Sequence, residues 1–362
     1  MLRWKSSLKP AAGPSTNDNF EFTAQTTGTN ETFTIKCSNH GTFDAVVDWG
    51  DSSTSTITAY NDADLVHTYS AAGTHSISIS GTFGNIRFNN TGDKDKVRTV
   101  TNLGSVGWNR FNGAFRGCTG LTSFTAGDCD TSSVTNWIRM FRGCTGMTTC
   151  DMAGMSTAAA TRLDSMFWDC DSVTALDCSG FDVSGVTSFG YGMFLNCESA
   201  TSLSVNNWDV NSGCTYFAGM FSDCFDVASL DLSGWDTSGV TSMQNMLMNC
   251  YDADIDITGW TSVGVTNMNY FIYRVNQATN IIVGLSGLNV ESIASTPTLF
   301  ANGVKLSTAE YDSILIAWSA QTVVSGQTWD FGLSEYTGGG AAATARASLQ
   351  SAGWTIQDGG TA

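Results

Sequence analysis

The chain has 362 residues, of which 14% are charged, and its 16 Lys and Arg against 33 Asp and Glu leave a net charge of −17. A surface this acidic repels phosphate backbones and anionic headgroups, so nucleic acid and a bare membrane are poor partners. No apolar run reaches the length of a membrane-spanning helix, and eleven cysteines, an odd number, cannot all be paired.

In chain order, residues 1–18 are polar, carry three basic side chains and lack an apolar core behind them, so they do not read as a secretory signal. Such an arm orders only against a partner. Leu2, Arg3, Trp4 and Lys5 are its expected docking residues on a larger assembly. Residues 19–90 carry short alternating runs, among them Phe20-Glu21-Phe22, Phe33-Thr34-Ile35, Val46-Val47-Asp48-Trp49 and Ile77-Ser78-Ile79, which predict a β-sandwich. Trp49-Gly50-Asp51, followed by His67-Thr68-Tyr69 and Gly73-Thr74-His75, resembles a polycystic-kidney-disease-type domain. That resemblance implies a spacer or binding module, found outside cells and in virions. Asp48, Asp51, Asp62 and Asp64 are of the type that ligates Ca²⁺, but solvated turn aspartates fit the spacing better.

From 91 to 290 the chain repeats. Cys118, Cys144, Cys170, Cys197, Cys224 and Cys250 recur at intervals of 26, 26, 27, 27 and 26, each behind an apolar pair such as Met166-Phe167 or Met220-Phe221. Tyr270-Phe271 marks a seventh, fading copy. Within a copy, Leu230 and Leu232 alternate with Ser229, Asp231 and Ser233, which predicts a short strand. A turn follows at Gly234-Trp235-Asp236. Met243, Met246, Leu247 and Cys250 then stand at i, i+3, i+4 and i+7, which predicts a short helix of about two turns. One such coil cannot bury its own apolar face, whereas stacked coils can. Rungs ~4.8 Å apart would put seven coils in a slab roughly 30 Å long, with the cysteines as a column of buried, reduced thiols. A zinc reading fails, since there is no Cys-x-x-Cys and the histidines lie outside the repeats.

The run from Leu230 to Cys250 resembles the BspA-type repeats of bacterial surface proteins, which also occur in phage virion proteins. The resemblance covers about 100–290 and implies an adhesion or recognition surface without catalysis. The copy at 150–170 departs from it, with Met155-Ser156 in place of Trp-Asp and the small residues Thr157-Ala158-Ala159-Ala160. That departure should alter local surface shape and not the fold.

Two outward columns are candidate binding sites. Asp151, Asp177, Asp231 and Asp256 sit at one strand position, Asp151 beside Asp177 and Asp231 beside Asp256, and could form a cation strip. The alternative is that each carboxylate accepts hydrogen bonds from nearby Ser, Thr or backbone groups. Trp208, Trp235 and Trp260 also align; exposed, they would stack on sugar rings, and buried, they would fill the corner of the coil. A second acidic column, Asp130, Asp182, Asp209 and Asp236, reads as capping. Paired carboxylates are the only conceivable catalytic chemistry, but they recur with the coil, and no G-x-S-x-G elbow, phosphate loop or metal motif is present.

At the far end, Ser307-Thr308-Ala309-Glu310 has the form of a capping box ahead of the helically spaced Tyr311, Ile314, Leu315 and Trp318. Trp329-Asp330-Phe331 reads as a strand, Ala341 to Ala352 as a helix closed by Gly353, and Trp354-Thr355-Ile356 as a last strand. The expected architecture is therefore mostly β with short helices: an arm (1–18), a β-sandwich (19–90), a leucine-rich-repeat-type solenoid (91–290) and an α/β cap (291–362). The expected role is non-enzymatic, without cofactor or metal. It is that of a phage virion surface component, either an adsorption or tail-fibre-type protein or a head or tail decoration. The alternatives are a bacterial cell-surface adhesin and a carbohydrate-active protein. Expected partners are other virion or surface proteins held through the N-terminal part, a host-surface glycan or protein, and further copies in an assembly.

Overall fold

The computed structural model describes residues 18–275, 281–293 and 296–362. Most of the docking arm, including Leu2, Arg3, Trp4 and Lys5, lies outside the described residues. The N-terminal part forms β1 (Phe20–Thr26), β2 (Glu31–Thr34), β3 (Phe43–Asp48), β4 (Thr54–Ile57), β5 (Val66–Tyr69) and β6 (Gly73–Phe83). β1 buries every second side chain, Phe20, Phe22, Ala24 and Thr26, as a half-buried strand must. A layer in the order β4-β3-β6-β1 is faced by the pair β2-β5, and Phe22 meets Phe33 between them at 6.1 Å. Trp49 stacks on His67 at 4.8 Å and accepts at its carbonyl from the Tyr69 hydroxyl.

The first layer does not end with this part of the chain. β7 (Val97–Asn102) pairs antiparallel with β1 and parallel with β8 (Ser123–Thr125), which pairs in turn with β9 (Thr149–Asp151). One seven-stranded sheet therefore runs from β4 into the repeats. Further rungs are β10 (Ala175–Asp177), β11 (Ser202–Ser204), β12 (Ser229–Asp231), β13 (Asp254–Asp256) and β14 (Ile282–Val283). The whole is a β-solenoid of about ten turns of ~26 residues, with the predicted inward columns buried: Leu176 with Cys178, Leu230 with Leu232, Ile255 with Ile257.

The segment opposite each strand is not the expected helix. Phe141 donates its N–H to Met166 O of the next coil at 2.9 Å, and Gly143 donates to Trp168 O at 2.8 Å. Between them, Arg142 and Cys144 donate back three residues, to Arg139 O and Phe141 O. Alternate amides thus leave the segment, which an α-helix forbids. The result is a ribbon of tandem turns with a four-residue period. Each coil from Gly113/Gly117 to Leu299/Gly303 holds two residues four apart at positive φ, such as Arg139/Gly143 and Asn245/Asn249. Helical and tandem-turn periods both place apolar side chains at i, i+3, i+4 and i+7, so the pattern alone could not separate them.

Between strand and ribbon run two ladders. Phe115, Phe141, Phe167, Phe194 and Phe221 stack with ring centroids 5.9, 5.5, 5.7 and 5.6 Å apart and planes within 14° of parallel. Beside them the Cys144, Cys170, Cys197, Cys224 and Cys250 thiols each donate to the carbonyl of the Phe one coil back, at 3.1–3.4 Å. These five thiols are fully buried and form no disulfide.

The solenoid closes in α1 (Thr308–Ser319), β15 (Thr328–Asp330), β16 (Glu335–Tyr336), α2 (Ala341–Ser351), β17 (Thr355–Gln357) and β18 (Gly360–Thr361), with β15–β17 and β16–β18 parallel. Ser307 accepts from Glu310 N as a capping box requires. The Glu310 carboxylate does not complete the box; it accepts instead from Leu285 N at 3.1 Å in the preceding turn. Trp318, Trp329 and Phe331 then pack over Phe300, with Trp354 against Trp318 and Trp329, so the last rung is covered by aromatic side chains.

Candidate functional site

The strand side of the solenoid carries the predicted aspartates, and the turn after each strand explains them. Asp177 Oδ1 accepts from Ser179 N at 3.0 Å and Ser179 Oγ at 2.6 Å; Asp231 does the same with Ser233 at 3.2 and 2.7 Å. Asp151 and Asp256 accept from Ala153 N and Thr258 N. These bonds to Ser179 hold the Asp177 carboxyl below its ordinary range. Each carboxylate closes its own turn, as Asp side chains two residues ahead of an N–H commonly do. Asp130 and Asp182 repeat the motif with Ser132 and Ser184, and Asp236 with Ser238 N. Asp231 does face Asp256 in register, but Asp151 and Asp177 are not on bonded strands, so the expected strip is discontinuous.

Trp208, Trp235 and Trp260 stack at 5.8 and 6.3 Å and are 1–3% exposed. They present no open face, so of the two expectations the corner-filling one holds and the sugar-stacking ladder does not: the corner of the coil encloses them. Trp208 Nε1 donates to Cys178 O at 2.9 Å and Trp260 Nε1 to Leu232 O at 2.8 Å, whereas Trp235 Nε1 has no partner among the described residues. Trp235 stands where β11 and β12 fail to pair.

The sheet also parts between β9 and β10. The ribbon behind the parting is intact, with Phe167 N bonded to Met193 O and Asp169 N to Leu195 O, so the two coils separate on the strand side alone. There an open groove of about 810 Å³ lies between residues 150–158 and 177–182. Met152, Met155 and Phe181 form its nearly buried floor, and Asp151, Asp177 and Asp182 its rim. This is the copy that departs from the repeat, with Met155 in the Trp column. The sequence therefore marked the place, though as a change of shape and not as a cavity. The groove can take an extended segment with an apolar body and hydroxyl or cationic substituents.

In the N-terminal layers, Asp51 is tied to Ser53 and to His67 Nε2 at 2.8 Å, Asp48 closes on Gly50 N, and Asp62 on Thr58 N. Among the described residues no three His, Cys, Asp or Glu side chains gather as a metal site. Likewise, no helix is long and apolar enough to cross a membrane.

One feature was missed in the sequence. Arg87, Arg116, Arg139 and Arg142 fall together on the ribbon side, across the core from the aspartates. They break the repeat: the column holding Arg116 and Arg142 continues as Trp168, Leu195 and Ser222. Non-recurrence within an otherwise regular repeat was the available signal.

No curated protein and no solved structure matches the chain. A family model described as "Mycoplasma protein of unknown function, DUF285" matches three overlapping stretches, 109–229, 161–285 and 215–325. Together they cover more than half of the sequence and coincide with the coils. The chain belongs to that family.

Proposed function

We propose that the protein is a non-enzymatic recognition and display scaffold, held through its N-terminal part and exposing the solenoid. The observation that carries this is the contrast between the inner and ribbon columns of the same coils. The inner columns repeat Phe and Cys from turn to turn, while the ribbon position after each Phe changes from the half-buried Arg116, Arg142 and Trp168 to the buried Leu195 and Ser222. Inner constancy maintains stacking, and variation along the ribbon specifies a surface. Membership of a repeat family supports the same reading. The groove beside Met155 is the recognition site on the strand side.

The finer assignment is a phage virion surface component, either an adsorption device or a decoration, present in several copies. It rests on the resemblance of the repeats to BspA-type virion proteins and of residues 19–90 to the polycystic-kidney-disease-type spacer. A second reading is a bacterial cell-surface adhesin, favoured by the family description, which names Mycoplasma. Quantitative mass spectrometry of purified particles and of washed cell envelopes separates the two. The virion reading expects the chain at a fixed copy number per particle, low for adsorption and high for decoration. The recombinant full chain should also compete with attachment. Finding it in neither fraction would sink both.

A further inference from the structure

We infer that the ribbon face around Arg87, Arg116, Arg139 and Arg142, with Trp168 and Tyr191, binds an acidic polysaccharide. The inference rests on the recognition reading and names a second surface and its ligand class. It starts from an imbalance of charge. In a chain of net −17, Lys94, Lys96, Arg162 and Arg346 each hold a carboxylate, but none of these four arginines does among the described residues. Arg87 donates to Asn112 O and Arg116 to Asn89 Oδ1, so neutral groups position their guanidinium ends. Burial first, then Arg139 and Arg87 for Arg116, and Arg116 and Arg139 for Arg142, raise the acidity of both guanidinium groups, so the four charges lie close together. The one acid that Arg142 feels, Asp169, is bonded to Asn196 Nδ2 at 2.8 Å.

The arrangement also has a repeat distance. Arg116, Arg142 and Trp168 occupy one column on successive turns, and turns advance by ~4.8 Å. That advance is close to one pyranose ring of an extended chain. Arg142 lies flat on Trp168 at 3.5 Å, and the Tyr191 ring is 6.1 Å from Trp168. Both rings are partly exposed. Planar guanidinium forks suit carboxylate, and aromatic rings beside them suit sugar C–H faces. Charge alone would not call for the rings.

Binding of the full chain to polygalacturonate and alginate oligomers is the test, with dextran and polyglutamate as controls and circular dichroism to verify folding. Retention of both uronates but not dextran is expected, weakening with salt. Arg116→Gln with Arg142→Gln should reduce it at least tenfold, the scale for two charge-assisted hydrogen bonds. Trp168→Leu should reduce uronate binding with little change in melting temperature, and Arg274→Gln, outside the cluster, should leave it unchanged. Equal binding of polyglutamate, or insensitivity to the arginine pair in a folded variant, overturns the inference. Attachment assays on the same variants separate this from the broader reading. Lost uronate binding with unimpaired attachment leaves recognition standing through another surface, whereas a wild-type chain that competes in neither assay removes both.

Discussion

At the scale of single residues, the thiol column shows what a repeat does to chemistry. A cysteine in isolation is a nucleophile or a ligand; here each one fills the space beside a stacked Phe and donates to a carbonyl that no ladder bond uses fully. Burial pushes every thiol up from its ordinary range, Cys129, at the surface of a turn, to about 11. Since thiolate is the reactive form, the column should be inert at neutral pH. Ellman titration of the native protein should therefore find no more than Cys37, Cys129 and Cys150, the half-buried three, and all eleven only after unfolding. Cys170→Ala, which removes one methyl-sized group and its weak bond, should cost about 1–2 kcal/mol in a denaturant melt. The Asp51 carboxyl, by contrast, is lowered to about 2, by Ser53 first and then with help from His67. A depressed acid contributes stability above its unfolded pKa of ~3.9 and loses it as pH falls towards 2. The melting temperature should be flat above about pH 5 and fall below it, and Asp51→Asn should make that acid limb slightly shallower, since Glu31 is held low as well. Because Asp51 is largely exposed, the effect is small.

At the scale of the element, the strand half of each coil was legible and the ribbon half was not. A two-residue period has one structural solution, and Leu230 with Leu232 turned inward as read. The four-residue spacing of the ribbon has two, and the choice depends on residues ahead of the cysteine: Gly117, Gly143, Asp169, Asn196, Asp223 and Asn249 all take positive φ. Gly, Asn and Asp tolerate that region best, and their recurrence before each Cys is the signal that a helix would not need. The two glycines differ usefully. A Cβ on Gly143 meets nothing closer than 3.6 Å, so Gly143→Ala should cost only the left-handed backbone penalty of about 1–2 kcal/mol. A Cβ on Gly117 would lie against Asn90, with its amide carbon at 2.9 Å and backbone at 3.1 Å, so Gly117→Ala should cost at least about 1 kcal/mol more. Equal losses in the two melts would mean that the conformational term alone acts. The buried Trp column likewise could not be distinguished by spacing from an exposed one, since both repeat at the coil length. Only the path of the corner decides it.

At the scale of the whole molecule, coils stack through two independent seams, strand to strand and ribbon to ribbon, and the seams need not fail together. Between the coils of β9 and β10 the ribbon bonds persist while the strand bonds are gone. The equivalent amides show the difference: Ala126 N donates to Asp151 O at 2.8 Å and Thr201 N to Thr174 O at 2.9 Å, whereas Met152 N and Thr174 N have no such partner across the parting. A solenoid opened on one side keeps its axial continuity, because Phe141, Phe167 and Phe194 still stack through the same interval. The groove is thus compatible with a single cooperative body and does not divide it into two. Hydrogen exchange read residue by residue checks this. Met152 and Thr174 should exchange at least about tenfold faster than Ala126 and Thr201, while Phe167 and Asp169 on the intact ribbon match their neighbours in adjacent coils, because an amide exchanges from the open state closest to it in free energy. Fast exchange on both sides of that coil would mean that the molecule divides there, and the groove would then be a boundary between two stacks.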